Sequence, residues 1–243
     1  VNSSGLAVAS SAFSNTLIEE LNIDSKITSL AADAFKNNQL PDSKAFIMGY
    51  DSNGDETNVL TSYAGANRSN IVLPDNVTSV SATFSGLGIT GYFDTGDGLT
   101  NVSDSMFSSN SLTSLRIGNS VTTIGTSAFV GCGGDLEMNA DIANGTSATK
   151  GIFYGTQFSN VVIGEGVATI GDYAFAGCST IENATIGSTV TTLGKSAFEG
   201  CALLAEANIP TGVVTIGDSA YSGCTSIKTV ALGEALQLTT IGK

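Results

Sequence analysis

The chain repeats itself every 22 to 23 residues, and that period restricts it to a stack of similar coils. The clearest copies read IGTSAFVGC, IGDYAFAGC, LGKSAFEGC and IGDSAYSGC, with aromatics at Phe129, Phe175, Phe198 and Tyr221. Weaker copies place Phe13, Phe35, Phe84, Phe107 and Phe153 in the same role. The 49-residue step from Phe35 to Phe84 is about two periods, so a degenerate coil is expected across residues 36–81. An irregular one is expected at 133–151. The unit otherwise accounts for residues 1–243 as a single domain.

The coil from Phe175 to Phe198 predicts the role of each position. Ile181, Ala184 and Ile186 read as a short buried strand, Gly187-Ser188 as a turn, and Val190–Leu193 as a second extended piece. Lys195–Phe198 reads as a helical turn, with Asp172 and Asp218 at the equivalent N-capping position of their own coils. Coils of 22 residues are read as losing a residue at the Gly-Cys step, as after Phe107. The expected fold is therefore an α/β solenoid, a right-handed coil of short parallel strands and helical or 3-10 turns, with about ten coils. At the usual strand spacing such a stack is on the order of 50 Å long.

The string I-G-x-x-A-F-x-G-C-x-x-I/L-x-x-A/V-x-I, at Ile170–Ile186, Leu193–Ile209 and Ile216–Leu232, resembles the BspA-type leucine-rich repeat. The resemblance runs from about Val8 to the C-terminus, with departures at 44–68 and 133–151. It implies a surface-displayed or secreted protein used in adhesion or in contact with host or matrix proteins.

Stacking turns identical positions into columns. The aromatics form one, read as core. Cys132, Cys178, Cys201 and Cys224, each three residues after its aromatic, form another. Parallel side chains in one column suit disulfide geometry poorly, so unpaired buried thiols are expected at Cys178, Cys201 and Cys224 as well as at the isolated Cys132. Ser29, Ser79, Thr123, Thr169, Thr192, Thr215 and Thr240 form a hydroxyl column. Its neighbouring column is mixed, which favours β-branched residues suiting extended backbone over an ice- or glycan-binding face.

The chemistry available is thin. There is no His, and the formal charge of −13 argues against nucleic acid and anionic membranes. No apolar run is long enough to span a bilayer. Asp51, Asn53 and Asp55 alternate as calcium ligands do, but Glu56 stands where such a loop needs Gly. A turn is the expected reading there, as at Asp94–Gly98. Glu19 and Glu20 are adjacent and cannot form a dyad, and the serines have no base to activate them. No enzymatic activity and no cofactor are expected.

Asn2, Asn67, Asn76, Asn101, Asn144 and Asn183 open N-glycosylation sequons, no more than composition predicts. The column Asn22, Arg116, Val162, Thr185, Asn208 and Ala231 marks the strand face, with no aromatic anchor.

The ends read as complementary. The C-terminus stops within the I-G-x-x-A-F motif without a polar cap, and the N-terminus enters in matching phase. Val8, Phe13, Leu232, Leu236, Leu238 and Ile241 are the expected stacking residues. Three explanations stand: a piece of a longer solenoid, head-to-tail self-association into a filament, or a partner or unusual cap. The expected role is a non-catalytic extracellular or cell-surface structural or adhesive element. The alternative is a recognition module binding glycan or protein on its strand face.

Overall fold

The computed structural model describes residues 6–22, 27–81, 84–143, 145, 147, 151–232 and 237–243. It is a parallel-strand β-solenoid of about ten turns. One file of short strands runs through β1 (Leu6–Val8), β2 (Ile27–Leu30), β6 (Ser79–Val80), β8 (Asn101–Val102), β10 (Thr123–Ile124), β13 (Thr169–Ile170), β15 (Thr192–Leu193), β17 (Thr215–Ile216) and β19 (Thr240–Ile241), hydrogen-bonded as β1–β2, β8–β10 and β13–β15–β17–β19. The predicted hydroxyl column lies along it, in register from Thr169 through Thr192 and Thr215 to Thr240. The broader face carries β5 (Asn70–Val72), β7 (Tyr92–Asp94), β9 (Ser114–Ile117), β11 (Gly133–Met138), β12 (Gln157–Ile163) and β14 (Asn183–Ile186) as one sheet. The pair β16 (Glu206–Ile209) and β18 (Thr229–Leu232) follows in the same direction.

The α/β expectation is corrected. Among the described residues the one helical element is a three-residue 3-10 turn at Asp42–Lys44. The segment predicted as a helical turn is a bent ladder, because the residue two before the aromatic is left-handed. Ser105, Ser127, Tyr173, Ser196 and Ser219 have φ between 52° and 57°. That conformation costs an L-residue about 1–2 kcal/mol and cannot propagate as a helix. It turns alternate amides towards the next coil instead. Ser196, Phe198 and Gly200 donate to the carbonyls of Asp218, Ala220 and Ser222, each at 2.8 Å. The aspartate carboxylates reach across to the next coil as well. Asp104, Asp172 and Asp218 accept the backbone N–H of Thr126, Lys195 and Lys243 in the following coil, at 2.6, 2.7 and 2.8 Å.

The aromatic column forms as predicted over most of its length. Phe84, Phe107, Phe129, Phe153, Phe175, Phe198 and Tyr221 stack in succession with centroids 4.9–5.9 Å apart and planes within 17°. Phe13 and Phe35 form a separate stack at 5.2 Å. Between them the degenerate segment is an antiparallel hairpin, β3 (Phe46–Tyr50) with β4 (Glu56–Tyr63). β4 then rejoins the ladder beside β6, placing Leu60 in the apolar column and Tyr63 against Phe84. The insertion divides the interior, leaving Val8, Phe35, Leu40 and Ile47 in a core of their own.

The cysteine column is also an asparagine column. Asn38 and Asn110 sit three residues after Phe35 and Phe107, as the cysteines do after their aromatics. Both are buried. Asn110 donates to the carbonyls of Phe84 and Phe107 at 2.9 and 3.0 Å and accepts from the Ile89 N–H at 3.1 Å. Cys178, Cys201 and Cys224 make the equivalent thiol contacts to Phe153, Phe175 and Phe198 at 3.0–3.3 Å. The 22-residue coil after Phe107 therefore keeps this step intact. Ser109, at φ 61°, and Asn110 replace Gly-Cys, and the shortening falls before Leu112.

Candidate functional site

Three places carry the candidate residues: the hairpin tip, the strand face and the open edge beyond the last coil. At the tip, Asp51 Oδ1 accepts the N–H groups of Asn53 and Asp55 at 2.8 and 2.9 Å. The backbone donation from Asp55 holds the Asp51 carboxyl below its usual range. Asn53 turns its side-chain amide back onto Asp51 as well. Asp51, Asn53 and Asp55 thus close the β3–β4 turn. Among the described residues no group of three or more His, Cys, Asp or Glu side chains is placed to hold a metal ion.

On the strand face, register inserts members that the sequence column lacked. Val72, Asp94, Arg116, Glu137, Val162 and Thr185 succeed one another across the sheet. Asn208 and Ala231 pair on the last two strands. Arg116 is the centre of an ion network, 3.0 Å from Asp94, 2.9 Å from Asp97 and 3.6 Å from Glu137. Hydrogen bonds to Asp94 and Asp97, with their charge, outweigh partial burial and push its guanidinium above its already high ordinary value. Tyr92 donates to the other Asp94 oxygen at 2.9 Å, and burial together with that bond pushes its hydroxyl up to about 12. The Arg on this face is therefore occupied by three carboxylates of the protein. A ladder of exposed amides runs alongside, Asn183 donating to Asn160 at 2.9 Å and Asn160 to Asp135 at 2.7 Å. Asn22 lies apart from these strands, its amide on Glu20 at 3.0 Å.

The described sequon asparagines differ. Asn76, Asn101 and Asn183 are exposed, whereas Asn67 is partly buried and hydrogen-bonded through both atoms of its amide. Asn2 and Asn144 lie outside the described residues.

The open edge is apolar. Val230, Leu232 and Ile241 are 60%, 54% and 67% exposed, while Ile209 and Ile216 in the same columns one coil earlier are 4% and 9%. With Tyr221, Cys224 and Ile227 they line a hollow of about 440 Å³. Leu238 is partly buried against the main core, and Leu236 lies outside the described residues. The Tyr221 hydroxyl, where earlier coils carry Phe, is buried with no partner among the described residues. At the other edge Phe13 is half-exposed, and Val8 is buried against the second coil while Leu6 faces out. The four thiols are free. Burial pushes Cys132 and Cys178 up to about 12, and hydrogen bonding to Cys224, then burial, raises Cys201 as well.

The arrangement of coils matches a known repeat. Six copies of the BspA type leucine-rich repeat region cover residues 2–43, 60–139 and 146–243. The chain belongs to this family. Uncovered residues 44–59 run from the end of the 3-10 turn into the hairpin, where BspA-type spacing is lost. No curated protein matches the chain. Among solved structures, a leucine-rich repeat protein from Eubacterium ventriosum shares the fold at a TM-score of 0.50 and 17% identity, over 81% of this chain and 55% of that one. One from Bacteroides ovatus aligns at 0.45 and 17%, over 98% and 78%. A leucine rich cell surface protein from Faecalibacterium prausnitzii aligns at 0.32 and 24%, over 72% and 59%. The chain thus spans a little over half the length of two of these three. BspA-type solenoids are generally non-catalytic repeat proteins, and no helix among the described residues is long and apolar enough to cross a membrane.

Proposed function

We propose that this BspA-type solenoid is a non-catalytic structural or adhesive element displayed outside the cell, and that its stack of coils continues past the last one. The open edge carries the reading. Val230, Leu232 and Ile241 present to solvent positions that the preceding coil buries as Ala207, Ile209 and Ile216, beside a tyrosine hydroxyl with no partner among the described residues. Covering them with another coil removes apolar surface from water and extends both ladders without new chemistry. A longer solenoid supplies that coil in the same polypeptide. A second copy supplies it head to tail, a heterologous contact that propagates as a filament. The surface location rests on family membership.

Native mass against concentration, with imaging of the same samples, tests the assembly reading. Self-stacking gives particles that lengthen with concentration, and Leu232→Glu with Ile241→Glu abolishes them. A concentration-independent monomer refutes self-stacking, leaving continuation within one chain or a partner or cap on the edge. The second reading, glycan or protein recognition on the strand face, draws on the exposed Val72 and Val162 and is weakened by the occupied Arg116.

A further inference from the structure

The broad sheet begins abruptly in mid-solenoid. β5 pairs with β7 on one side, and no strand of the described residues lies on its other side. The cause is local. Leu40 bridges Gly65, but Pro41 follows, with no N–H to donate and φ at −62°. The chain turns into the 3-10 segment and the hairpin where a strand would otherwise flank β5.

Alternation along β5 directs Ile71 at β7 and the backbone groups of Asn70 and Val72 at the gap. Natural sheets blunt such an edge, and here half of it is blunted. The Asn67 side chain stands in for a strand, donating to the Asn70 carbonyl at 2.8 Å and accepting the Asn70 N–H at 3.1 Å. Val72 is half-exposed, and among the described residues no side chain gives its outward N–H and C=O such cover. Beside this edge a hollow of about 190 Å³ is lined by Ala45, Phe46, Tyr63, Ile71 and Val72, with the Asp42 carboxylate at its mouth.

We infer that the gap beside β5 is a docking site for an extended cationic peptide of another protein, which adds a strand at Val72, sets one apolar side chain in the hollow and directs a Lys or Arg at Asp42. An extended main chain answers the paired backbone donor and acceptor and the neighbouring side-chain pocket together. Charge selects the peptide. The Asp42 carboxylate accepts from the neutral amide of Asn67 at 3.3 Å, and the whole chain carries −13. Asp42 is the charged residue that lines the hollow; the nearby Arg68 keeps its charge but is held by backbone carbonyls and Asn37 over the Tyr63 ring, outside that lining. This site is independent of the open end.

Fluorescence anisotropy with a labelled hexapeptide of alternating lysine and valine tests the assignment on the full chain. The peptide is expected to bind saturably and to shift the amide resonances of Ile71 and Leu73. Replacing its lysines by glutamates, or methylating its central backbone nitrogens, is expected to weaken binding at least tenfold. Val72→Pro removes the free donor at an edge position that tolerates proline and is expected to do the same. Asn67→Ala uncovers Asn70 and is expected to tighten binding about threefold, a gain that misfolding does not mimic. The inference is overturned if lysine and glutamate peptides bind alike, if Val72→Pro and Asn67→Ala leave affinity unchanged, or if the shifts fall on Thr229–Leu232. It is equally overturned if Val72→Pro abolishes a dimer of the chain, because a second copy then occupies the edge.

Discussion

Phe175→Ala removes a ring that is fully buried between Phe153 at 4.9 Å and Phe198 at 5.1 Å, nearly parallel to both. A buried Phe→Ala change costs roughly 3–5 kcal/mol. Stacked aromatic pairs contribute about 0.5–1.5 kcal/mol each beyond area burial. The coils on both sides are fixed by ladders, so the cavity cannot collapse, and the loss is expected at about 4–5 kcal/mol. Phe13→Ala is the internal control. That ring is 44% exposed and stacks on Phe35 alone. Its loss is expected at about 1 kcal/mol, half the transfer value with no enclosed cavity. Urea unfolding followed by near-ultraviolet circular dichroism reads both, the slope being checked because repeat arrays depart from two-state behaviour. Similar midpoint shifts for the two variants, or a loss at Phe175 below about 1.5 kcal/mol, would refute the continuous column.

Asn110→Ala strands the Phe84 and Phe107 carbonyls and the Ile89 N–H, and is expected to cost about 2–3 kcal/mol in urea unfolding. Asn110→Cys, which installs the residue used by sister coils, is expected to recover part of that loss. Thiol titration of the native protein is expected to modify Cys224, the half-buried one, ahead of Cys132, Cys178 and Cys201; equal rates for all four would contradict the packing. Alkali is expected to weaken the fold between pH 9 and 12. Burial raises Cys132 and Cys178 from 9.0, and Tyr63 and Tyr92 from 10.0, each to about 12. The folded state retains those protons, so the stability tied to them is intact below the ordinary values and is lost as pH climbs through the raised ones. A urea midpoint that is flat from pH 9 to 12 would contradict this.

The columns that depend on period alone were legible in the sequence: the aromatics, the thiols and the Thr169–Thr240 hydroxyls fall where counting by 22 or 23 places them. Chemistry that depends on a second residue was not. Arg116 is visible as a lone cation, but Asp94 and Asp97 lie 22 and 19 residues away, and their convergence needs the register between coils. Asn38 and Asn110 were hidden because they resemble Cys in role and not in type; their fixed offset from Phe35 and Phe107 was the signal. The helical turn failed because Lys-Ser-Ala-Phe has ordinary helix formers, and the left-handed Ser196 is dictated by bonds to the next coil. Segment 36–81 has the length of two coils, which concealed a hairpin and the gap beside it.

The aspartates that hold the following coil give the stack a direction. Asp104, Asp172 and Asp218 each wait, with their own winding already closed, for an amide that comes later in the polypeptide. A chain threaded N-terminus first through a narrow exit meets a finished template at every new winding and needs no distant segment to arrive. Emergence of the chain and folding can then advance together, one winding at a time.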